Sequence, residues 1–215
     1  MPASYPILLD VSERLIVIVG GGKVATRKAL GLLLAGATRI RVVAPRFDED
    51  MPPDVEKIEA RYDASSLEGA GLVFACTDSS QINSQVTTDA RARGILVNRA
   101  DTDDDMPADF VNPAVRRLGP VILSVSSGGT PGLAAELLRQ AGEAVDPRLI
   151  KLASILQTLR PILRDRCGLS PDCRVRVFRF LTNDEALMAI ERDGRAGLIG
   201  LLKARFPELV DQPIE

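Results

Sequence analysis

The sequence predicts an α/β protein, a doubly wound parallel sheet followed by a mostly helical part. Three observations predict it. Short apolar, β-branched runs alternate with amphipathic stretches of helical period in the N-terminal half. A glycine break, Gly20-Gly21-Gly22, separates the first apolar run from the first helical stretch. From Pro131 onward the pattern is almost entirely helical.

The elements follow in order. "RLIVIV" (14–19) is a buried strand stopped by glycines. "KVATRKALGLLLAGA" (23–37) is a helix, with Val24, Ala25, Ala29, Leu32 and Leu33 three and four apart and Gly36 as its stop. "RIRVVAP" (39–45) is a second strand and "VEKIEARY" (55–62) a weaker third. "GLVFACT" (71–77) is a fourth strand. "SSQINSQVTTDARARG" (79–94) is a helix with serine at its start and glycine at its end, and "ILVNRA" (95–100) a fifth strand. Strands joined by helical crossovers pair in parallel and carry helices on both faces, with the ligand crevice at the carboxyl ends of the strands.

The rhythm then changes. Two extended segments are expected around Phe110–Val115 and Val121–Val125, then helices at 133–145 and 147–166, the second kinked or broken by Pro161. A boundary is expected near residue 112 and a softer one near 146, which divides the chain into 1–112, 113–146 and 147–215.

Composition narrows the chemistry. The 215 residues contain no histidine, which rules out histidine bases, imidazole metal ligands and Ser-His-Asp triads within this sequence. Cys76, Cys167 and Cys173 lack metal-site spacing, so no resident metal is expected. The two tyrosines, Tyr5 and Tyr62, are followed four residues later by Leu9 and Ser66, so the Tyr-x-x-x-Lys pair of short-chain dehydrogenases is missing. No apolar run approaches the ~20 residues of a membrane span, and the N-terminus lacks the pattern of a secretory signal. The expectation is a cytoplasmic protein without membrane or nucleic-acid partners. Residues 148–206 hold 12 Lys and Arg against 6 Asp and Glu, a basic surface suited to a small polyanion or simply solvated.

Gly20-Gly21-Gly22-Lys23-Val24-Ala25 fits G-x-G-x-x-A, placed after a strand and at a helix start. The pattern predicts a Rossmann-like dinucleotide site, with one glycine for the turn, Gly22 for close approach of a pyrophosphate, and helix N–H groups facing the phosphates; the alternative is a glycine-rich turn without a ligand. The acid that holds a ribose about 20 residues on is missing. Ala44-Pro45-Arg46 stands there, with Asp48 the first acid. Arg46 could meet a 2′-phosphate, stack on the adenine or point to solvent. Thr77 and Asp78 follow the fourth strand on the same rim, where they could touch the nucleotide or substrate; Asp78, Ser79 or Ser80 could equally cap the next helix. Asp101, after the fifth strand, is the candidate general base, whereas Asp103, Asp104 and Asp105 read as a solvated acidic loop. "SVSSGGTPG" (124–132) is a polar turn that could bind an anion or merely join strand to helix.

These motifs together resemble a known family. "VIVGGGKVATRKALGLLLAGA", "VFACTDSSQINSQV", "VNRADTDDDMPADFVNPAVRR" and "VILSVSSGGTPGLAAELLR" are similar, in order and spacing, to motifs of precorrin-2 dehydrogenases, including the N-terminal module of siroheme synthases. The resemblance covers roughly residues 5–140. It implies a Rossmann domain (1–112), a dimerisation region (113–146) and a helical domain (147–215) in a homodimer. It implies oxidation of the tetrapyrrole precorrin-2 to sirohydrochlorin with NAD, and in some members iron insertion as well. On this resemblance Asp101 is catalytic. Gly20, Gly21, Gly22, Lys23, Val24, Pro45, Arg46, Thr77 and Asp78 bind the cofactor. Asn98, Arg116, Arg117, Ser126, Ser127 and Gly128 bind the substrate, whose carboxylates call for basic residues. Arg46 and Arg99 depart from the family's pattern. A reading from a different class is a non-catalytic NAD-binding regulatory module.

Overall fold

The computed structural model describes residues 4–101, 106–165, 168–210 and 214. The chain divides into two compact units, 1–111 and 112–215.

In the first unit, β1 (Leu15–Val19), β2 (Arg39–Ala44), β3 (Glu56–Glu59), β4 (Leu72–Ala75) and β5 (Val97–Arg99) form a five-stranded sheet in the order β3-β2-β1-β4-β5. Every pairing is parallel. The central strands are apolar at successive positions because both faces are covered. Ile16, Ile18, Val42, Leu72 and Phe74 pack on one face with Ala25, Ala29 and Leu32 of α1 (Lys23–Leu34). Val17, Val19, Val43, Val73 and Val97 pack on the other with Val86 and Ala90 of α2 (Ser80–Ala92). The two helices therefore lie on opposite faces, the doubly wound arrangement. The order reverses between β1 and β4, which sets the crevice at their carboxyl ends.

The edge strand β5 is closed by its own downstream chain. Asp109 N–H donates to the Val97 carbonyl at 2.9 Å, and Asp109 Oδ2 accepts from Val97 N–H at 3.0 Å. Arg91 of α2 holds the same carboxylate from the outside at 2.7 Å. The return brings Phe110 edge-on to Phe74, ring centroids 5.5 Å apart.

In the second unit, β6 (Ala114–Leu118) and β7 (Val121–Val125) form an antiparallel hairpin backed by α3 (Pro131–Glu143). The first extended segment thus lies at 114–118 and not around Phe110–Val115. Phe110 takes part in the closure of β5, its carbonyl accepting from Asn98, and Arg116 and Arg117 occupy strand positions on an exposed ribbon. Then come α4 (Pro147–Asp165), α5 (Pro171–Phe180) and α6 (Asp184–Arg205) around a leucine-rich core that includes Leu159, Leu163, Leu181, Leu198 and Leu202. Helix α4 is not broken at Pro161. Leu159 and Leu163, both fully buried, anchor the turns on either side, and the ring sits on the exposed face. The break comes instead in α6, at Gly194 (φ 61°, ψ −137°). The Lys151 ammonium donates to the Ile190 carbonyl at 2.9 Å just before it.

No helix among the described residues is long and apolar enough to cross a membrane. The Asp103, Asp104 and Asp105 loop, Arg166 and Cys167 lie outside the described residues.

Candidate nucleotide and active site

Parallel strands put Gly20, Pro45, Thr77 and Asp101 at one edge of the sheet, after β1, β2, β4 and β5 respectively. The three glycines there have three different physical reasons. Gly20 has φ +119°, and a side chain on it would overlap the Cys76 carbonyl of the neighbouring strand. Gly21 lies against the Arg46 carbonyl, and a Cβ on it would also stand 2.8 Å from Ala44 Cβ. Gly22 is different: a Cβ there meets nothing within 4 Å. The fold therefore needs the first two glycines for its own packing, and open space faces Gly22 at the start of α1.

That start carries no side-chain cap and no acid in its first turn. Helices α2, α5 and α6 are capped by Ser79, Ser170 and Asn183. Of the three residues that could cap α2, Ser79 is the one that does. The first N–H groups of α1 and the positive end of its dipole face the open space, together with exposed Lys23 and Val24. This cradle fits the pyrophosphate of a dinucleotide. Pro45 and Arg46 are exposed beside it. No acid ends β2: Asp48 turns away, its N–H donating to the Gly21 carbonyl at 2.7 Å and its carboxylate accepting from Asp50 N–H at 3.1 Å.

On the far side of the switch point, Thr77 is tied to Asn83 of α2. Thr77 N–H and Oγ1 approach Asn83 Oδ1 at 3.1 and 2.8 Å, and Asn83 Nδ2 donates to the Thr77 carbonyl at 3.1 Å. The Asn83 amide also helps to lower the proton affinity of the Asp101 carboxylate. Asp78 stays exposed on the rim.

Asp101 is gripped by Arg99. The guanidinium Nε and Nη2 donate to its two oxygens at 3.0 and 2.7 Å. The Arg99 side chain is 1% exposed and that of Asp101 26%. Arg99 is held in turn by Ser84 Oγ at 3.2 Å, and by Ser80 Oγ and the Met106 carbonyl at 3.4 Å. The guanidinium, and secondarily the Asn83 amide, pull the Asp101 carboxyl down to about 2. Such a group carries charge well but takes up a proton poorly near neutrality.

Asn98 faces the α1 side of the sheet, where Nδ2 donates to the Phe110 carbonyl at 2.7 Å. Its Oδ1 is buried without a partner. Lys28 of α1 lies over the Phe74 ring, 5.1 Å from the centroid, and burial lowers its ammonium from the ordinary lysine value. Burial also pushes the neighbouring Cys76 thiol up to about 11.

In the second unit, Arg116 and Arg117 are exposed on β6. The Arg116 guanidinium lies close over Gly142 of α3, where a side chain would displace it. Ser126 and Gly128 are exposed, and Ser127 Oγ donates to the Thr130 carbonyl ahead of α3. Among the described residues, no three Cys, Asp or Glu side chains gather in a way that could hold a metal ion.

Lys28, Asn83 and the ion-pair role of Arg99 were not singled out from the sequence, yet each leaves a signal. Lys28 falls three residues after buried Ala25, on the apolar stripe of α1. Asn83 begins the buried 83-86-87-90 stripe of α2. Arg99 and Asp101 are two apart at a strand end, a spacing that puts side chains on one face.

A siroheme synthase of Photobacterium profundum is 32% identical over 94% of this chain and 45% of its own length. One from Chromobacterium violaceum is 36% identical over 66% of this chain and 31% of its own length. The chain thus spans less than half the length of these relatives. A solved structure of SirC, a precorrin-2 dehydrogenase, superposes with a TM-score of 0.73 at 20% identity, covering 94% of this chain and 100% of that one. The likeness extends the shared fold beyond the sheet into the helical unit. A family model described as "Putative NAD(P)-binding" matches residues 7–114, half of the chain and the whole of the sheet. The chain belongs to this NAD(P)-binding family.

Proposed function

We propose that the chain is a precorrin-2 dehydrogenase that oxidises precorrin-2 to sirohydrochlorin with NAD in siroheme biosynthesis. The observation that carries the reading is the 32% identity to a siroheme synthase across 94% of the chain. The uncapped α1 start and the open face of Gly22 support the nucleotide half of it.

In this reading Gly20, Gly21, Gly22, Lys23 and Val24 receive the pyrophosphate. Pro45 and Arg46 flank the adenosine half, and Thr77 and Asp78 the nicotinamide half. A nicotinamide held there would supply the hydride acceptor, and the second hydrogen of the dehydrogenation would leave as a proton. Asp101 orients the macrocycle from the rim, and Asn98 of β5 is proposed as a further substrate contact. Arg116, Arg117, Ser126, Ser127 and Gly128 are proposed to meet substrate carboxylates in the second unit. Residues 113–146 are proposed as the dimerisation region of a homodimer, 147–215 as a helical domain, and the cytoplasm as the location.

The test is an anaerobic absorbance time course of precorrin-2 with the protein and NAD⁺ or NADP⁺, followed by Co²⁺ or Fe²⁺. A sirohydrochlorin spectrum that requires nucleotide is the expected result, and the nucleotide that gives it names the cofactor. Further protein-dependent change on adding metal would add a chelatase activity. An unchanged spectrum alongside measurable nucleotide binding would sink the dehydrogenase reading in favour of a regulatory module.

A further inference from the structure

We propose that Arg99 is a positioning residue that fixes Asp101 as a permanent anion, so that Asp101 serves as a hydrogen-bond acceptor for a pyrrolic N–H of the substrate and not as the base that takes the proton. The inference rests on the dehydrogenase reading above, in which Asp101 faces the tetrapyrrole.

The geometry supports both halves. A carboxylate has about four lone-pair sites. Arg99 takes one on each oxygen, at 3.0 and 2.7 Å. Accepting capacity is left at an edge that is 26% exposed. A reduced tetrapyrrole offers N–H donors of matching polarity. The guanidinium cannot swing away, because Ser80 and Ser84 of α2 and the Met106 carbonyl hold it from behind. Its side chain is 1% exposed, so water reaches the pair only from the Asp101 side. Protonating Asp101 would take a bidentate counter-charge away from that buried cation, which is costly. The proton released in the dehydrogenation therefore goes to water and not to this carboxylate.

Four variants test the idea: Arg99→Lys, Arg99→Met, Asp101→Asn and Asp101→Ala. Each is first checked for a cooperative melt and for NAD⁺ binding. Two readouts follow, the ¹³C titration of the Asp101 carboxyl and the pH profile of kcat. In the wild type the carboxyl should not titrate above about pH 4. In Arg99→Met its midpoint should move upward, and kcat should gain an acidic limb with the same midpoint and fall by about tenfold or more. Arg99→Lys should restore much of both. Asp101→Asn keeps an acceptor oxygen and should exceed Asp101→Ala in kcat by about tenfold.

A wild-type titration and pH profile in Arg99→Met would overturn the positioning role. So would an Asp101→Asn variant as slow as Asp101→Ala. Full turnover by Asp101→Ala would instead remove Asp101 from the reaction, and Arg99 with it. A wild type inert toward precorrin-2 overturns the dehydrogenase reading itself, while the carboxyl titration still decides whether Arg99 fixes the charge.

Discussion

Gly21 and Arg46 touch backbone to backbone, and the Arg46 carbonyl fills the space that a Gly21 side chain would need. The contact joins the turn after β1 to the turn after β2. The Asp48 N–H, 2.7 Å from the Gly21 carbonyl, closes the same junction. Gly21→Ala must therefore push two strand ends apart. The expected cost is about 2–3 kcal/mol, an overpacking strain with no flexible side chain to absorb it. Urea denaturation of the variant against the wild type measures it. A loss under about 0.5 kcal/mol would mean that the junction yields easily.

Gly22→Asp should behave in the opposite way. The position is the N-cap of α1, has φ −87° and faces open space. Aspartate is a favoured N-cap, so its carboxylate should bond the α1 N–H groups and leave the melting temperature equal or slightly higher. The same carboxylate would occupy the place of a pyrophosphate and repel it. Nucleotide affinity should fall by about a hundredfold, on the order of 3 kcal/mol. Calorimetric titration with NAD⁺ checks it, and retained affinity would remove the glycine turn from the binding site.

Asp109 offers a test of how the edge strand is held. Its carboxylate accepts from Val97 N–H and from Arg91 at once. Asp109→Ala leaves the buried Val97 N–H without its side-chain acceptor and leaves Arg91 with the Pro107 carbonyl but no carboxylate there. A loss of about 1–3 kcal/mol is expected. Hydrogen exchange at Val97 should rise selectively; unchanged exchange there would show that the closure does not depend on this side chain.

What the sequence made legible follows from where single side chains decide the outcome. β1 and β4 could be read because burial on both faces requires continuous apolar runs, and the glycine turn because φ +119° at Gly20 leaves little choice of residue. The strand Ala114–Leu118 begins beyond the extended segment expected around Phe110–Val115, and it carries Arg116 and Arg117 where a half-buried strand would carry apolar residues. On an exposed two-stranded ribbon the arginines cost nothing. Pro161 misled for a related reason: local propensity argues for a break, but buried Leu159 and Leu163 hold α4 on course. Asp101 could be picked out by its place after β5. The chemistry that Arg99 imposes on it could not, since an arginine at that position is equally compatible with solvent until α2 supplies Ser80 and Ser84 behind it.

The helical unit yields a prediction at Gly194. Its φ of 61° with ψ −137° belongs to a region that residues with a Cβ rarely enter. Gly194→Ala should destabilise by about 1–3 kcal/mol, or straighten α6 at the expense of its packing. Lys151→Met, which removes the ammonium from the Ile190 carbonyl, should cost about 1 kcal/mol at the same break. Combining the two should cost less than the sum if the break and its cap act as a unit. A double-mutant cycle in urea measures that difference, and strict additivity would separate the cap from the break.

Acid titration reports on Asp101 through stability. Its carboxyl is held at about 2 in the folded protein against 3.8 ordinarily, chiefly by Arg99. A lowered carboxylate value means the unfolded chain binds the proton first. The stabilisation is therefore complete well above 3.8 and drains away as the pH falls from there through about 2. Asp101→Asn cannot show this dependence. The stability gap between wild type and Asp101→Asn should be constant from pH 8 to about pH 5 and should shrink steadily at lower pH. Other carboxylates that titrate in the same range, such as Asp10 and Asp63, are common to both proteins and cancel in the difference. A gap independent of pH down to about 3 would mean that the Arg99 pair contributes nothing to the fold. Asp101 would then be free to exchange protons, and the general-base role would return.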